Sequence, residues 1–182
     1  KWVGNQIEAS KKVSHHLIDV NPIIVGEVGD SPEIYSIVNE EKASGQIICF
    51  SEKANRTEYT VRVNSAKIMV ALNHPYEIKN DSLYFSLIFS EEESSKAIFI
   101  LPNEESDVSI ISTTAPITNA NFENNRLKYT LSEQGIQTIK WNKRKGKPLV
   151  ESSNRCVFQY FEGENNYILT VEAEENSTIL IY

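Results

Sequence analysis

The chain has few of the features that identify a reactive, metal-bound or membrane-spanning protein. Its 2 cysteines, Cys49 and Cys156, are too far apart for a zinc or redox motif. No apolar run approaches the ~18 residues needed to cross a bilayer, and no basic-then-apolar segment typical of a signal peptide opens the chain. Nucleophile elbows, phosphate loops and dinucleotide fingerprints are also missing. The sequence therefore predicts no membrane span, no metal and no cofactor.

Positive charge is scarce as well. The chain has 18 Lys and Arg residues against 25 Asp and Glu residues, for a formal net charge of -7. Nucleic acids and anionic membranes favour clustered cations, so we expect no nucleic-acid partner. One basic cluster, at residues 141–148, predicts an exposed hairpin tip, which could also meet a sulfated or uronic polymer. Acidic groups at residues 91–93, 104–107 and 172–175 lack calcium-loop spacing and are typical of solvated turns.

From residue 22 onward, short segments alternate apolar and polar residues. In residues 57–63, for example, Val61 and Arg62 face opposite sides of an extended chain. We predict strands at residues 23–28, 33–38, 46–50, 57–63, 66–72, 83–89, 96–101, 108–112, 126–131, 136–141, 155–161, 167–171 and 178–182. The predicted fold class is all-β, an antiparallel β-sandwich or jelly roll over residues 22–182. A polar break near residues 102–106 leaves open two stacked β subdomains.

The first 21 residues have a different pattern. Ile7, Val13 and Leu17 recur near helical spacing with charges between them, which predicts one short amphipathic helix and a linker over residues 1–21. Trp2 and Ile7 are the residues that we expect to pack this helix against a preceding domain.

Asparagine-led turns precede several predicted strands, at residues 80–82, 124–126 and, more loosely, 165–167. Asparagine tolerates positive φ angles, so convergent turn chemistry explains the similarity, with internal duplication as the alternative. Cys49 and Cys156 each lie in an apolar run. This predicts two buried free thiols, with a bridge between neighbouring strands as the alternative.

Aromatic rings hold sugars by packing on the apolar face of a pyranose. The candidates for carbohydrate contact are Trp141, Tyr35, Tyr76 and Tyr84, which alternate with other residues in predicted strands or loops. For Trp141, packing in the core or within a hairpin is the favoured interpretation, and ligand stacking is the alternative. His74 precedes a proline and is expected in an exposed loop. No pair of carboxylates has the pattern of a glycosidase acid and nucleophile, so we predict no catalysis by this fragment.

The N-terminal part resembles a known family junction. Residues 11–17, 22–26, 33–39 and 45–51 look like the place where bacterial retaining glycoside hydrolases pass from the last barrel helix into a C-terminal β-sandwich. Residues 83–87 followed by 97–101 resemble a later strand pair of that sandwich. The resemblance covers about residues 1–101, and Ser51 stands where Asn is common in the family. It carries over no catalytic residue, because the barrel is absent.

The resemblance implies a noncatalytic accessory β-sandwich module of an exported carbohydrate-active enzyme, extracellular or periplasmic, whose parent is a glycoside hydrolase. Its expected partners are a polysaccharide or oligosaccharide and a preceding catalytic domain. The alternative is an adhesion-type domain at the cell surface that binds protein, in which case exposed strand edges or loops would carry the binding.

Overall fold

The computed structural model describes residues 22–24, 33–39, 44–50, 55–62, 67–80, 82–90, 95–102 and 107–182; for residues 22–24, 33–39, 50 and 55–62 only the backbone is described. The predicted helix, with Trp2 and Ile7, lies outside these ranges, as does most of the predicted break near residues 102–106. Within the described ranges the regular structure is β-strand, apart from a short 3-10 helix at Lys143–Lys145.

The strands are β1 (Pro22–Ile24), β2 (Glu33–Asn39), β3 (Ser44–Phe50), β4 (Asn55–Arg62), β5 (Ile68–Leu72), β6 (Tyr76–Lys79), β7 (Ser82–Phe89), β8 (Ser95–Pro102), β9 (Val108–Thr113), β10 (Ile117–Glu123), β11 (Arg126–Leu131), β12 (Gly135–Asn142), β13 (Val150–Ser152), β14 (Cys156–Glu162), β15 (Asn166–Ala173) and β16 (Thr178–Ile181). The all-β prediction is confirmed for the residues that the structure describes. Each predicted strand overlaps an observed one, but β6, β10 and β13 were not predicted. Two of these three are four residues or shorter, and β10 contains two asparagines, which strands usually lack.

The strands form three antiparallel sheets. Sheet A has the order β1-β2-β3-β8-β5, sheet B the order β14-β15-β12-β9-β6-β7-β4, and sheet C the order β10-β11-β16-β13. Sheet A comes from residues before the predicted break and sheet C from residues after it, whereas sheet B takes strands from both parts. Pairing is antiparallel throughout the described ladders, so the predicted antiparallel arrangement is confirmed for these residues.

One hydrophobic core joins the three sheets. It contains Ile47 and Ile98 of sheet A, Leu169 of sheet B, and Leu127 and Ile179 of sheet C. Sheets A and C meet where the Asn73 amide donates to the Ile117 carbonyl at 2.8 Å. The arrangement is sandwich-like, because buried side chains alternate with exposed ones along strands such as β7 and β12.

The asparagine turns have the predicted backbone. Asn80, Asn124 and Asn125 have φ angles of 46°, 52° and 60°. Because Glu123 pairs with Arg126, Asn124 and Asn125 form a two-residue hairpin turn with positive φ at both positions. The third turn, at residues 165–167, does not share this geometry, since neither of its asparagines has a positive φ.

Candidate binding site

Two of the predicted sugar-contact residues are buried. Trp141 is 1% exposed and donates its indole Nε1–H to the Gly146 carbonyl at 3.3 Å. Tyr76 is 5% exposed and donates its hydroxyl to the Ile110 carbonyl at 2.6 Å. The core-packing interpretation of Trp141 is confirmed. Stacking of a ligand on either ring is wrong, because each ring points into the core face of its strand.

Tyr84, the third predicted residue, does not form a platform with them. Tyr84 is 39% exposed on the outer face of sheet B, opposite Glu77, whose carboxylate pairs with Lys79 at 2.7 Å. Tyr35 lies in β2, and its side chain is outside the described residues. The three predicted contact residues whose side chains are described are therefore not gathered into one site.

The basic cluster at residues 141–148 is not a hairpin tip. It connects β12 of sheet B to β13 of sheet C, and each of these strands pairs with other partners. Lys143 Nζ pairs with Glu162 at 2.7 Å, and Lys145 Nζ donates to Asn125 Oδ1 at 2.8 Å. These cations are used within the fold, which weakens the interpretation of the loop as a binding site for an anionic polymer.

Sheet B ends in an unusually exposed apolar strand. In β14, Val157 is 61% exposed, Phe158 40%, Tyr160 37% and Phe161 73%. Globular proteins rarely leave contiguous apolar groups in water without a functional reason. We name Val157, Phe158, Tyr160 and Phe161, together with the backbone edge of β14 that faces away from β15 and meets no other described strand, the β14 edge.

The exposed residues lie on both faces of the strand. Phe158 and Tyr160 lie opposite Val171 and Leu169 of β15, which are buried, so the core ends at β15 and these two rings extend beyond it. Val157 and Phe161 alternate onto the outer face, opposite Glu172 and Ile168. The strand therefore offers apolar side chains above and below a row of backbone groups that pair with no other strand in the described part of the chain.

The other edge strands of the described sheets have features that prevent further pairing. β1 and β13 are three residues long, and β10 and β5 have register shifts. The sequence of β4 carries Arg56, Glu58 and Arg62. Short length, irregular register and charge are the usual protections of a sheet edge. In contrast, β14 pairs with β15 in unbroken register over seven residues, and its sole charge is Glu162 at its end.

A tyrosine–lysine patch borders this strand, formed by Tyr160, Tyr167, Lys143, Lys147 and Glu162. The two tyrosine rings meet edge to face at 5.7 Å between centroids. Lys147 Nζ lies 4.9 Å from the Tyr160 centroid and Lys143 Nζ 5.6 Å from the Tyr167 centroid. The hydrogen bond with Tyr160 raises the pKa of Lys147. The patch combines aromatic rings with both signs of charge, which suits polar ligands with an apolar face.

The remaining candidates supply no reactive site. Both cysteines are free, so the bridge alternative is wrong. Burial raises the pKa of Cys49 to about 12, whereas Cys156 is only half-buried, because it lies on the edge strand; its predicted burial is wrong in that respect. His74 is partly buried and bonds the Ser86 carbonyl. No group of three metal-ligating side chains occurs in the described part of the chain.

Sequence reasoning missed the β14 edge. Its signal was present: residues 156–161 are apolar except for Gln159, with none of the alternation that marks a half-buried strand. Such a run is typical of a strand covered on both faces. Whether it is central or at an edge depends on long-range pairing, which a single sequence does not show.

Comparison with known proteins identified no relative of this chain. A scan against protein-family models, a search of curated proteins and a search of solved structures each found no match to the chain. Among the residues that the structure describes, no helix has the length and apolar character required to span a membrane.

Proposed function

We propose that this chain is a noncatalytic β-sandwich interaction module that binds an extended protein strand at the β14 edge. The observation that supports this is the exposure of four apolar residues on an edge strand with unbroken register, whose one charged residue, Glu162, lies at its end. Strand addition supplies main-chain hydrogen bonds for affinity, while the alternating side chains supply specificity. Aromatic residues are also enriched at the centres of protein interfaces. The proposed function is that of an adhesion-type domain, and the proposal includes a location outside the cell for this chain.

A peptide titration tests this function. The probe is a fluorescent peptide with the sequence of residues 156–162 carrying Cys156→Ser, measured by anisotropy against dilute protein. We expect saturable binding that weakens at least about tenfold in Phe161→Lys, because a lysine on the edge disfavours strand addition.

The matched control is Ile136→Lys, which changes an exposed apolar residue on the outer face of sheet B, two strands away from the edge. It should bind the peptide as the unsubstituted protein does. A fully N-methylated peptide, which donates no ladder hydrogen bonds, should not bind. Equal binding of both peptides, or no binding of either at concentrations where the protein is monomeric, would contradict the proposal.

A second candidate function is contact with a glycan. In that case the chain would be an accessory module, of the jelly-roll or sandwich type, of an exported carbohydrate-active enzyme. The tyrosine–lysine patch supports it, because rings, cations and a carboxylate lie together at an accessible end of sheet B. Retention on polysaccharide gels or a glycan array that Tyr160→Ala removes and Tyr84→Ala preserves would favour this function. The parent enzyme, its catalytic domain and export from the cell remain part of this second proposal.

A further inference from the structure

We infer that the strand which occupies the β14 edge is β14 of a second copy of this chain, paired antiparallel about a two-fold axis at Gln159. This inference rests on the proposed function, since it names the partner of the same edge. The pairing would join two copies of sheet B into one continuous sheet. Homo-oligomers with two-fold symmetry need a surface that is complementary to itself, and β14 has that property.

Two-fold symmetry restricts the register of this pair. In an antiparallel pair related by a two-fold axis perpendicular to the sheet, residues whose numbers sum to a constant lie opposite each other on the same face. With Gln159 opposite its own copy, Val157 lies opposite Phe161, and Phe158 lies opposite Tyr160. All four exposed apolar residues of each copy then meet apolar residues of the other.

Neighbouring registers are poorer. Centring the axis on Phe158 places Phe161 opposite the charged Arg155, and centring it on Tyr160 places Phe158 opposite Glu162. Aromatic pairs directly across a ladder stabilise it, whereas an apolar residue facing a charge does not. The register about Gln159 is therefore the one that the side chains specify.

Charge favours the same register. Glu162 is the charged residue within β14, and in the Gln159 register the two copies of Glu162 are at opposite ends of the ladder, roughly 20 Å apart at ~3.4 Å per residue. Each Glu162 lies at the end where Arg155 of the other copy, which is exposed, enters the strand. Opposite charges are thus close at both ends, and like charges are separated.

Sedimentation measurements over a range of protein concentrations test the pairing. We expect a dimer whose dissociation constant rises at least about tenfold in Val157→Lys and in Phe161→Lys, because each change places two lysines in the shared ladder. Ile136→Lys, the matched control away from the edge, should leave the dissociation constant unchanged. Both edge residues are exposed, so these variants should remain folded. A monomer at every concentration, or a dimer unaffected by both edge lysines, would overturn the inference.

Cysteine crosslinking tests the register itself. In a Cys156→Ser background, Gln159→Cys should form a disulfide-linked dimer under mild oxidation, because directly opposed Cα atoms lie about 4.5–5.5 Å apart, within disulfide range. Val157→Cys alone should not crosslink, but a mixture of Val157→Cys and Phe161→Cys should. Crosslinking of Val157→Cys to itself as readily as Gln159→Cys would overturn the register.

The two proposals can fail separately. If the protein is monomeric but the free peptide still binds and Phe161→Lys removes that binding, strand addition stands and the second copy is the wrong partner. If neither the peptide nor a second copy binds, both proposals fail.

Discussion

The hydroxyl of Tyr129 donates a hydrogen bond to Oε1 of Gln137 at 3.4 Å, inside the core and between sheets C and B. Both residues are buried, and Nε2 of Gln137 has no hydrogen-bond partner among the described residues. The contact therefore couples the two sheets through a polar pair that is only partly satisfied.

Removing one member of this pair should destabilise the fold more than removing both. In Tyr129→Phe the amide of Gln137 loses its remaining partner, which we expect to cost about 1–3 kcal/mol of unfolding free energy. The double variant Tyr129→Phe/Gln137→Met replaces both polar groups by apolar ones and should recover most of that loss. Urea denaturation of the single and double variants measures the coupling. Additive losses would show that the bond contributes nothing.

Gly135, at the start of β12, should not accept any larger residue. A Cβ atom at this position would lie 2.4 Å from Cβ of Ala115 and 3.0 Å from Oγ1 of Thr114. We expect Gly135→Ala to lower the unfolding free energy by about 1–3 kcal/mol through overpacking. In a double-mutant cycle, Ala115→Gly should recover part of that loss, because it removes the closest atom. A cycle without coupling would show that the backbone shifts instead.

The two thiols should differ in reactivity. Cys49 is buried in sheet A with its pKa raised to about 12 by burial, whereas Cys156 is accessible on β14. Because the thiolate is the reactive species, a disulfide reagent in mildly alkaline buffer should modify one thiol per folded chain and two in denaturant. Cys156→Ser should abolish the reaction of the folded protein. Modification of Cys49 at a comparable rate would show that sheet A opens readily.

The sequence predicted the fold class and most of the strands because alternation along a strand is a local property. It also predicted the Asn80 and Asn124 turns, since positive φ is a property of the residue itself. It favoured packing for Trp141, which is buried, but it did not predict that Phe161 is exposed. Trp141 lies on the core face of β12, which has strands on both sides, whereas Phe161 lies on the outer face of β14, which among the described strands pairs with β15 alone. Neighbours in a sheet are set by crossovers between distant segments, which periodicity does not encode.

Stability should fall at alkaline pH because of two buried tyrosines. Burial raises the pKa of Tyr76 and of Tyr129 above their ordinary value of 10.0. Above that pH the unfolded chain releases these protons while the folded chain keeps them, so the folded state binds more protons and the unfolding free energy decreases as pH rises.

The two protonated tyrosines contribute their full share of the unfolding free energy below about pH 10. Above that pH, the unfolding free energy should fall by about 1.4 kcal/mol per pH unit for each tyrosine. Denaturation midpoints measured across this range, with tyrosinate absorbance as the probe of ionisation, check the slope. Tyr76→Phe should remove one tyrosine's share of the decrease in unfolding free energy with pH. The substitution also removes the hydrogen bond to the Ile110 carbonyl, but the stability lost in that way at neutral pH does not affect the slope. An unchanged slope in Tyr76→Phe would mean that this hydroxyl ionises equally in both states, and that the core around β6 admits water.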